Sequence, residues 1–139
     1  MEHQTYSIRP IGIVRSELRD LAEAPNQAYE GAPGAHLELD PEFAPALHRV
    51  EAGQDLILLT WLHRADRSIL QTHPRGDPDR PLTGVFGTRS PDRPNPIGLH
   101  RVRVAEVETP TRLRVLALEV IDGTPIVDLK AVLEESPAR

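Results

Sequence analysis

Apolar positions in this chain come in short runs, and the clearest of them repeat every second residue. Between Leu99 and Glu108, Val102 and Val104 alternate with Arg101, Arg103 and Ala105, which places the valines on one face of a strand and the arginines on the other. Val107 falls out of that phase, which predicts a late bulge. Leu113, Val115 and Ala117 alternate with Arg112, Arg114 and Leu116 in a further strand, and Ile126 to Leu129 form a last one. The segment Leu56 to His63, LILLTWLH, is the most apolar run. It is too short for an ordinary helix and reads as a central strand buried on both faces. Tyr6 to Val14 is β-prone but interrupted by Pro10 and Gly12, which predicts a bend or an edge position. His36 to Leu39 and Gly84 to Thr88 read as shorter strands. A helical signal is confined to Pro41–His48, with Asp40 as N-cap and Pro41 at the first helical position.

The 14 prolines and 9 glycines are spread along the chain and divide it into these short segments, the pattern of an all-β barrel or sandwich. With 139 residues, a single domain spanning 1–139 is expected. Leu18 to Gly34 is a long loop with no sustained period, and Thr72 to Pro81 is polar and proline-rich. Loops of the first length are more often functional than simple connections. No apolar stretch approaches the roughly 20 residues of a membrane span, and MEHQTYSIRP lacks the regions of a signal peptide, so the expected location is the cytoplasm, away from membranes. The absence of cysteine excludes disulfides, thiolate metal sites and cysteine nucleophiles. A net charge of −5 argues against indiscriminate nucleic-acid binding, so a polyanionic partner would need a local basic patch. Of 16 basic residues only Lys130 is lysine. Arginine suits bidentate phosphate contacts and stacking on bases, although a general Arg-rich composition explains the bias equally well.

Two stretches stand out chemically. In Thr88–Leu99, TRSPDRPNPIGL, Pro91, Pro94 and Pro96 stiffen the backbone, so Arg89 and Arg93 would be held side by side at the mouth of the sheet. They could bind a carboxylate, a phosphate or a stacked purine, or simply bridge nearby acids in a stiff crossover loop. In Ile121–Pro125, Asp122–Gly123 is first a hairpin turn signal. An Asp held there can also bond ribose hydroxyls, while Gly allows a ligand close to the main chain. His63 and His73 lie ten residues apart with no short-range histidine spacing, so no metal site is expected. His63 would be a rim or core residue, or line a pocket. Ser90 with His73 as nucleophile and base lacks a GxSxG elbow, and no GxGxxG turn opens a helix, which excludes a Rossmann site.

Four segments taken together, Ile11–Ser16 (IGIVRS), Pro25-Asn26-Gln27, Gly84–Leu99 (GVFGTRSPDRPNPIGL) and Asp122–Lys130 (DGTPIVDLK), resemble the TsaA/TrmO family of tRNA methyltransferases. Val50–His63 and the HPRGD run at His73–Asp77 fit the same pattern, so the likeness covers most of the chain. The resemblance implies a single small β-barrel with long functional loops, a homodimer, S-adenosylmethionine as cofactor, and methylation of N6 of threonylcarbamoyl-modified adenosine beside the tRNA anticodon. Carried over by position, it puts the cofactor contacts on Pro25, Asn26, Gln27, His63, Arg64, Arg89, Leu99, Ile121, Asp122, Gly123 and Thr124. Arg75 and Arg93 would face the anionic substrate, and no general base is assigned. The chain departs from the family pattern at Asn26, where Arg is frequent, and at Arg64, where Gln is common. Two other readings stay open: a binding module without transferase activity, and a methyltransferase for a small molecule or a protein.

Overall fold

The computed structural model describes residues 3–17, 34–116 and 118–133. Within them lie eight strands: β1 (Gly12–Arg15), β2 (Ala35–Leu39), β3 (Asp55–Trp61), β4 (Gln71–Thr72), β5 (Thr83–Gly84), β6 (Ile97–Thr109), β7 (Arg112–Leu116) and β8 (Pro125–Ala131). Short 3-10 helices span Pro41–Leu47, Pro74–Gly76 and Val85–Gly87. Six strands close an antiparallel barrel in the order β1-β2-β7-β6-β3-β8, and β4 and β5 pair in a separate small sheet. The Leu18–Gly34 loop lies outside the described residues except for Gly34.

The period-two pattern decides what fills the barrel. Val102 and Val104 of β6 and Leu113 and Val115 of β7 point inward to meet Val14, Leu37, Leu56, Leu58 and Ile126 in one core. Their neighbours Arg101, Arg103, Arg112 and Arg114 point outward. There Arg101 and Arg103 both reach Asp55, at 2.9 and 2.8 Å. A chain of alternating charges crosses β1, β2, β7 and β6: Arg15 to Glu38 at 3.3 Å, Glu38 to Arg112, Arg112 to Glu108 at 3.0 Å, and Glu108 to His36 at 3.3 Å. The acid-bridging explanation therefore suffices for these outer arginines. The predicted late bulge is present, with the β6–β7 register shifting between Val104 and Glu106 and again between Val107 and Thr109.

Five expectations need correction. The LILLTWLH strand has one buried face, not two: Leu56, Leu58 and Thr60 point inward, whereas Ile57, Leu59 and Trp61 lie on the partly covered outer face. Gly84–Thr88 is a strand only at Gly84, because the Thr88 N–H and hydroxyl both donate to the Val85 carbonyl, at 3.0 and 2.9 Å, and curl the chain. The first strand starts at Gly12, after Pro10, and is no edge, since it pairs with both β2 and β8. Asp122–Gly123 makes a turn but no hairpin, because β7 pairs with β2 and β6 while β8 pairs with β1 and β3. The helical signal becomes a 3-10 segment containing Pro45, and Asp40 occupies the N-cap without a side-chain cap bond.

Two leucines on β7 test this face assignment. Leu113 is fully buried, whereas Leu116 is 45% exposed. Leu113→Ala should cost about 2–5 kcal/mol of unfolding free energy and Leu116→Ala less than about 1 kcal/mol, read from urea midpoints.

Candidate functional site

β6 is longer than either of its neighbours. β3 pairs with it from Ile97 to Arg103, and β7 pairs with it only from Arg103 to Thr109. Among the described residues no strand follows β7 to pair with the first half of β6 on that side. A cleft of about 570 Å³ opens in that breach. It is lined by Ile97–Arg101 of β6, Leu118–Ile121 with Thr124, Leu62–Ala65 and the Arg89–Arg93 loop.

The loop is rigid for reasons beyond its prolines. From one side the Arg93 guanidinium donates to the carbonyls of Val85, Thr88 (3.3 Å) and Ser90 (3.2 Å). From the other, Arg67 donates to the Pro94 carbonyl at 2.7 Å and to Asn95 Oδ1 at 3.0 Å, with its guanidinium over the Trp61 ring. The Asp66 N–H donates to Asp92 Oδ1 at 2.8 Å. Held in this way, Arg89 extends across the breach and donates to the Leu99 carbonyl at 3.0 Å.

The turn after Ile121 is stitched to β1. Thr124 donates its hydroxyl to the Ile121 carbonyl at 2.7 Å, the Gly123 N–H donates to Val14 at 2.7 Å, and Asp122 Oδ1 accepts the Ser16 N–H at 3.0 Å. Gly123 has φ +85°, a left-handed conformation that glycine adopts without strain.

Of the residues expected around a ligand, His63, Arg64, Arg89, Arg93, Leu99, Ile121 and Thr124 line this cleft. Asp122 and Gly123 form the turn between Ile121 and Thr124, and Asp122 braces β1. Arg75 lies in a neighbouring cleft. Pro25, Asn26 and Gln27 lie outside the described residues. Among the described residues no three or more His, Asp or Glu side chains group as metal ligands would.

Several cleft residues were not singled out from the sequence, among them a histidine. His100 sits at an inward-facing position of β6, on the phase of Val102 and Val104, where a polar side chain is out of pattern and so signals a special site. Its Nε2 lies 3.0 Å from Oγ1 of the fully buried Thr60. Gly98, directly across from Thr60, leaves room for this pair: a Cβ there would stand 2.4 Å from Thr60 Oγ1 and 2.8 Å from His100 Nε2.

Burial, and then the nearby Arg89 cation, lower the His100 pKa from 6.5 to about 4. The imidazole is therefore neutral at neutral pH. Between pH 6.5 and about 4 the unfolded chain binds a proton at this residue that the folded chain refuses, so stability is lost as the pH falls. The unfolding free energy of wild type, read from urea midpoints, should fall more steeply through that window than that of His100→Asn, by a difference on the order of 2–3 kcal/mol.

A family model described as the tRNA-methyltransferase O N-terminal domain matches residues 13–137. Similar proteins include an S-adenosyl-L-methionine-binding protein of Archaeoglobus fulgidus, 39% identical over 123 residues that cover 88% of this chain and 86% of the relative. A probable S-adenosyl-L-methionine-binding protein of Methanothermobacter thermautotrophicus is 37% identical over 135 residues, covering 97% of this chain and 96% of the relative. Among solved structures, TrmO from P. aeruginosa superposes with a TM-score of 0.77 at 34% identity, over 99% of this chain and 59% of that one. The chain thus spans about three-fifths of the length of the TrmO it matches. The barrel, the arginine-bearing loop at its breach and the match across nearly the whole sequence agree, and the chain belongs to the family of tRNA-methyltransferase O N-terminal domains.

Proposed function

We propose that the chain binds S-adenosylmethionine in the cleft beside β6 and acts as a methyltransferase on tRNA, modifying N6 of threonylcarbamoyl-adenosine in the anticodon loop. The observation that carries this reading is the cleft itself: an apolar strand wall faces an arginine held in place by a braced loop. Its volume falls in the range of about 300–1,000 Å³ typical for small ligands. Membership of the family and the names of the relatives, which describe S-adenosyl-L-methionine binding, point the same way.

The residues present suit the cofactor. Leu62, Ile97, Leu99 and Leu118 offer apolar surface to a purine, and Arg64 and Arg89 offer guanidinium groups to a carboxylate. Ile121 and Thr124 line the same cleft, and the Asp122–Gly123 turn between them holds them in place through its bonds to Ser16 and Val14. When bound, S-adenosylmethionine supplies a methyl group on a sulfonium, a good leaving group that departs as a neutral thioether. The acceptor nitrogen gains the methyl and gives up a proton.

The chain's task is positioning and charge. Arg89 fixes one end of the ligand, and the 88–96 loop holds Arg89. His100, neutral at working pH, adds no positive charge to a cleft that must admit a sulfonium. Arg93 remains near the substrate in this reading, but its guanidinium is taken up by loop carbonyls, so it acts mainly by keeping Arg89 in register.

The proposal includes a cytoplasmic homodimer. Because the barrel is closed, unpaired barrel edges give no reason for it. Support comes from the apolar side chains of Leu70, Leu82 and Phe86, which lie outside the cleft and are 64%, 56% and 83% exposed.

One observation favours a second reading, cofactor binding without transfer. The two relatives described above are named for S-adenosyl-L-methionine binding, with no mention of transfer. Transfer of a labelled methyl group to tRNA from cells lacking the endogenous enzyme would exclude it.

Calorimetry is the first test, with light scattering for the solution mass. Wild type should bind S-adenosylmethionine saturably, and Arg89→Ala should weaken that binding by at least about tenfold. Absence of binding by folded wild type would overturn the proposal.

A further inference from the structure

Behind the Arg89–Pro91 wall lies a second cleft of about 460 Å³, lined by Thr72–Gly76 and Gly87–Pro91. Arg89, Ser90 and Pro91 line both clefts, so the two sites share a wall one loop thick. The lining of the second includes Arg75 and Arg89 and no carboxylate, in a chain whose net charge is −5. A concave surface carrying two arginines and no acid favours an anionic guest.

The geometry of Arg75 strengthens the point. Its backbone stands at φ 58°, ψ 21°, a left-handed conformation that a bulky side chain rarely adopts. Surrounding bonds enforce it. The Gly76 N–H donates to the His73 carbonyl at 2.9 Å and the Asp77 N–H to Pro74 at 3.2 Å. His73 closes the loop through Nδ1, 2.8 Å from the Arg80 carbonyl; because a carbonyl only accepts, Nδ1 carries the proton. Asp77 Oδ1 accepts the Asp79 N–H at 2.9 Å. Nearby arginines all have structural partners: Arg67 with Asn95, Arg80 with Asp77, Arg89 with Leu99, and Arg93 with the loop carbonyls. Among the described residues no hydrogen bond or ion pair engages the Arg75 guanidinium. The loop's own bonds thus hold Arg75, without a partner among the described residues, in the lining of a cleft that carries no acid.

We infer that the second cleft is the acceptor subsite and that Arg75 receives the anionic group, carboxylate or phosphate, of the molecule to be methylated. This rests on the reading of the first cleft as the cofactor site, and it adds where the acceptor lies and what chemistry selects it. Two sources supply such an anion: a carboxylate on the modified base or a phosphate of the nucleic-acid backbone. The planar guanidinium fork takes either in a bidentate bond, which a lysine ammonium cannot reproduce.

Arg75→Gly is the informative variant, because glycine relieves the left-handed strain while removing the guanidinium. The probes are N6-threonylcarbamoyladenosine, its methyl ester and adenosine 5′-monophosphate, titrated calorimetrically into protein saturated with S-adenosylhomocysteine and into ligand-free protein. The expected result is loss of affinity by about tenfold or more in Arg75→Gly and a partial loss in Arg75→Lys, with a thermal midpoint that does not fall in either variant and unchanged S-adenosylmethionine binding. If the effect is confined to the free-acid nucleoside and the ester binds wild type weakly, the anion is the base carboxylate; if it falls on the monophosphate, the anion is a phosphate. Arg75→Gly affinities equal to wild type for every probe, or no binding of any probe to wild type, would overturn the inference. Failure of S-adenosylmethionine binding alone would instead sink the cofactor reading, leaving the ligand-free titrations to report on this cleft directly.

Discussion

The architecture turns on the antiparallel ladder of β6. It is a 13-residue strand with a partner on each side near Arg103 but on only one side toward Ile97. A barrel needs every strand paired on both sides, and where β7 stops at Leu116 that requirement lapses locally. The gap becomes a cleft because its remaining walls are held by other means. The 118–121 segment leads into a turn stitched to β1, and Arg89 bonds the Leu99 carbonyl. The core below stays intact, since Leu56, Leu58, Val102 and Val104 remain packed on the inner face.

The arginines divide into three groups by what surrounds them. Those on the outer barrel face pair with acids of neighbouring strands, and such exposed pairs contribute little individually to stability. Arg67 and Arg93 serve as internal struts, donating to main-chain carbonyls on either side of a proline-rich loop that has few amide donors of its own. Arg75 and Arg89 face concave surface. Composition counts these groups as one, and only their placement separates them.

Much of the barrel was legible from the sequence, because period-two alternation fixes which face of a strand is buried. Val102 with Val104, and Leu113 with Val115, were each set on one face of a strand, which is the inward one, and the bulge near Val107 followed from a single slip of phase. The errors arose where local pattern was overridden. LILLTWLH has apolar residues on both faces, yet its outer face is covered only in part. At Asp122–Gly123 the turn chemistry was read correctly, but the partners of the flanking strands are set by ring closure, which sequence neighbours do not encode. The cleft could not be read from spacing, since its walls come from four separated segments. The resemblance named part of that lining: His63, Arg64, Arg89, Arg93, Leu99, Ile121 and Thr124. His100 was overlooked although its inward phase on β6 marked it, and the bracing duties of Arg67 and Arg93 depend on contacts across the fold that no motif records.

The half-paired stretch of β6 also bears on how the molecule moves. A strand segment flanked by a ladder on one side only is a region of low local opening free energy, able to loosen while the rest of the barrel stays closed. The cleft wall is thus the natural breathing point of the fold, and an occupant bridging Leu99 and the 118–121 segment would stand in for the missing strand. In amide hydrogen-exchange terms, the Ile97–Val102 backbone is the part of the ring whose protection a bound ligand should raise most.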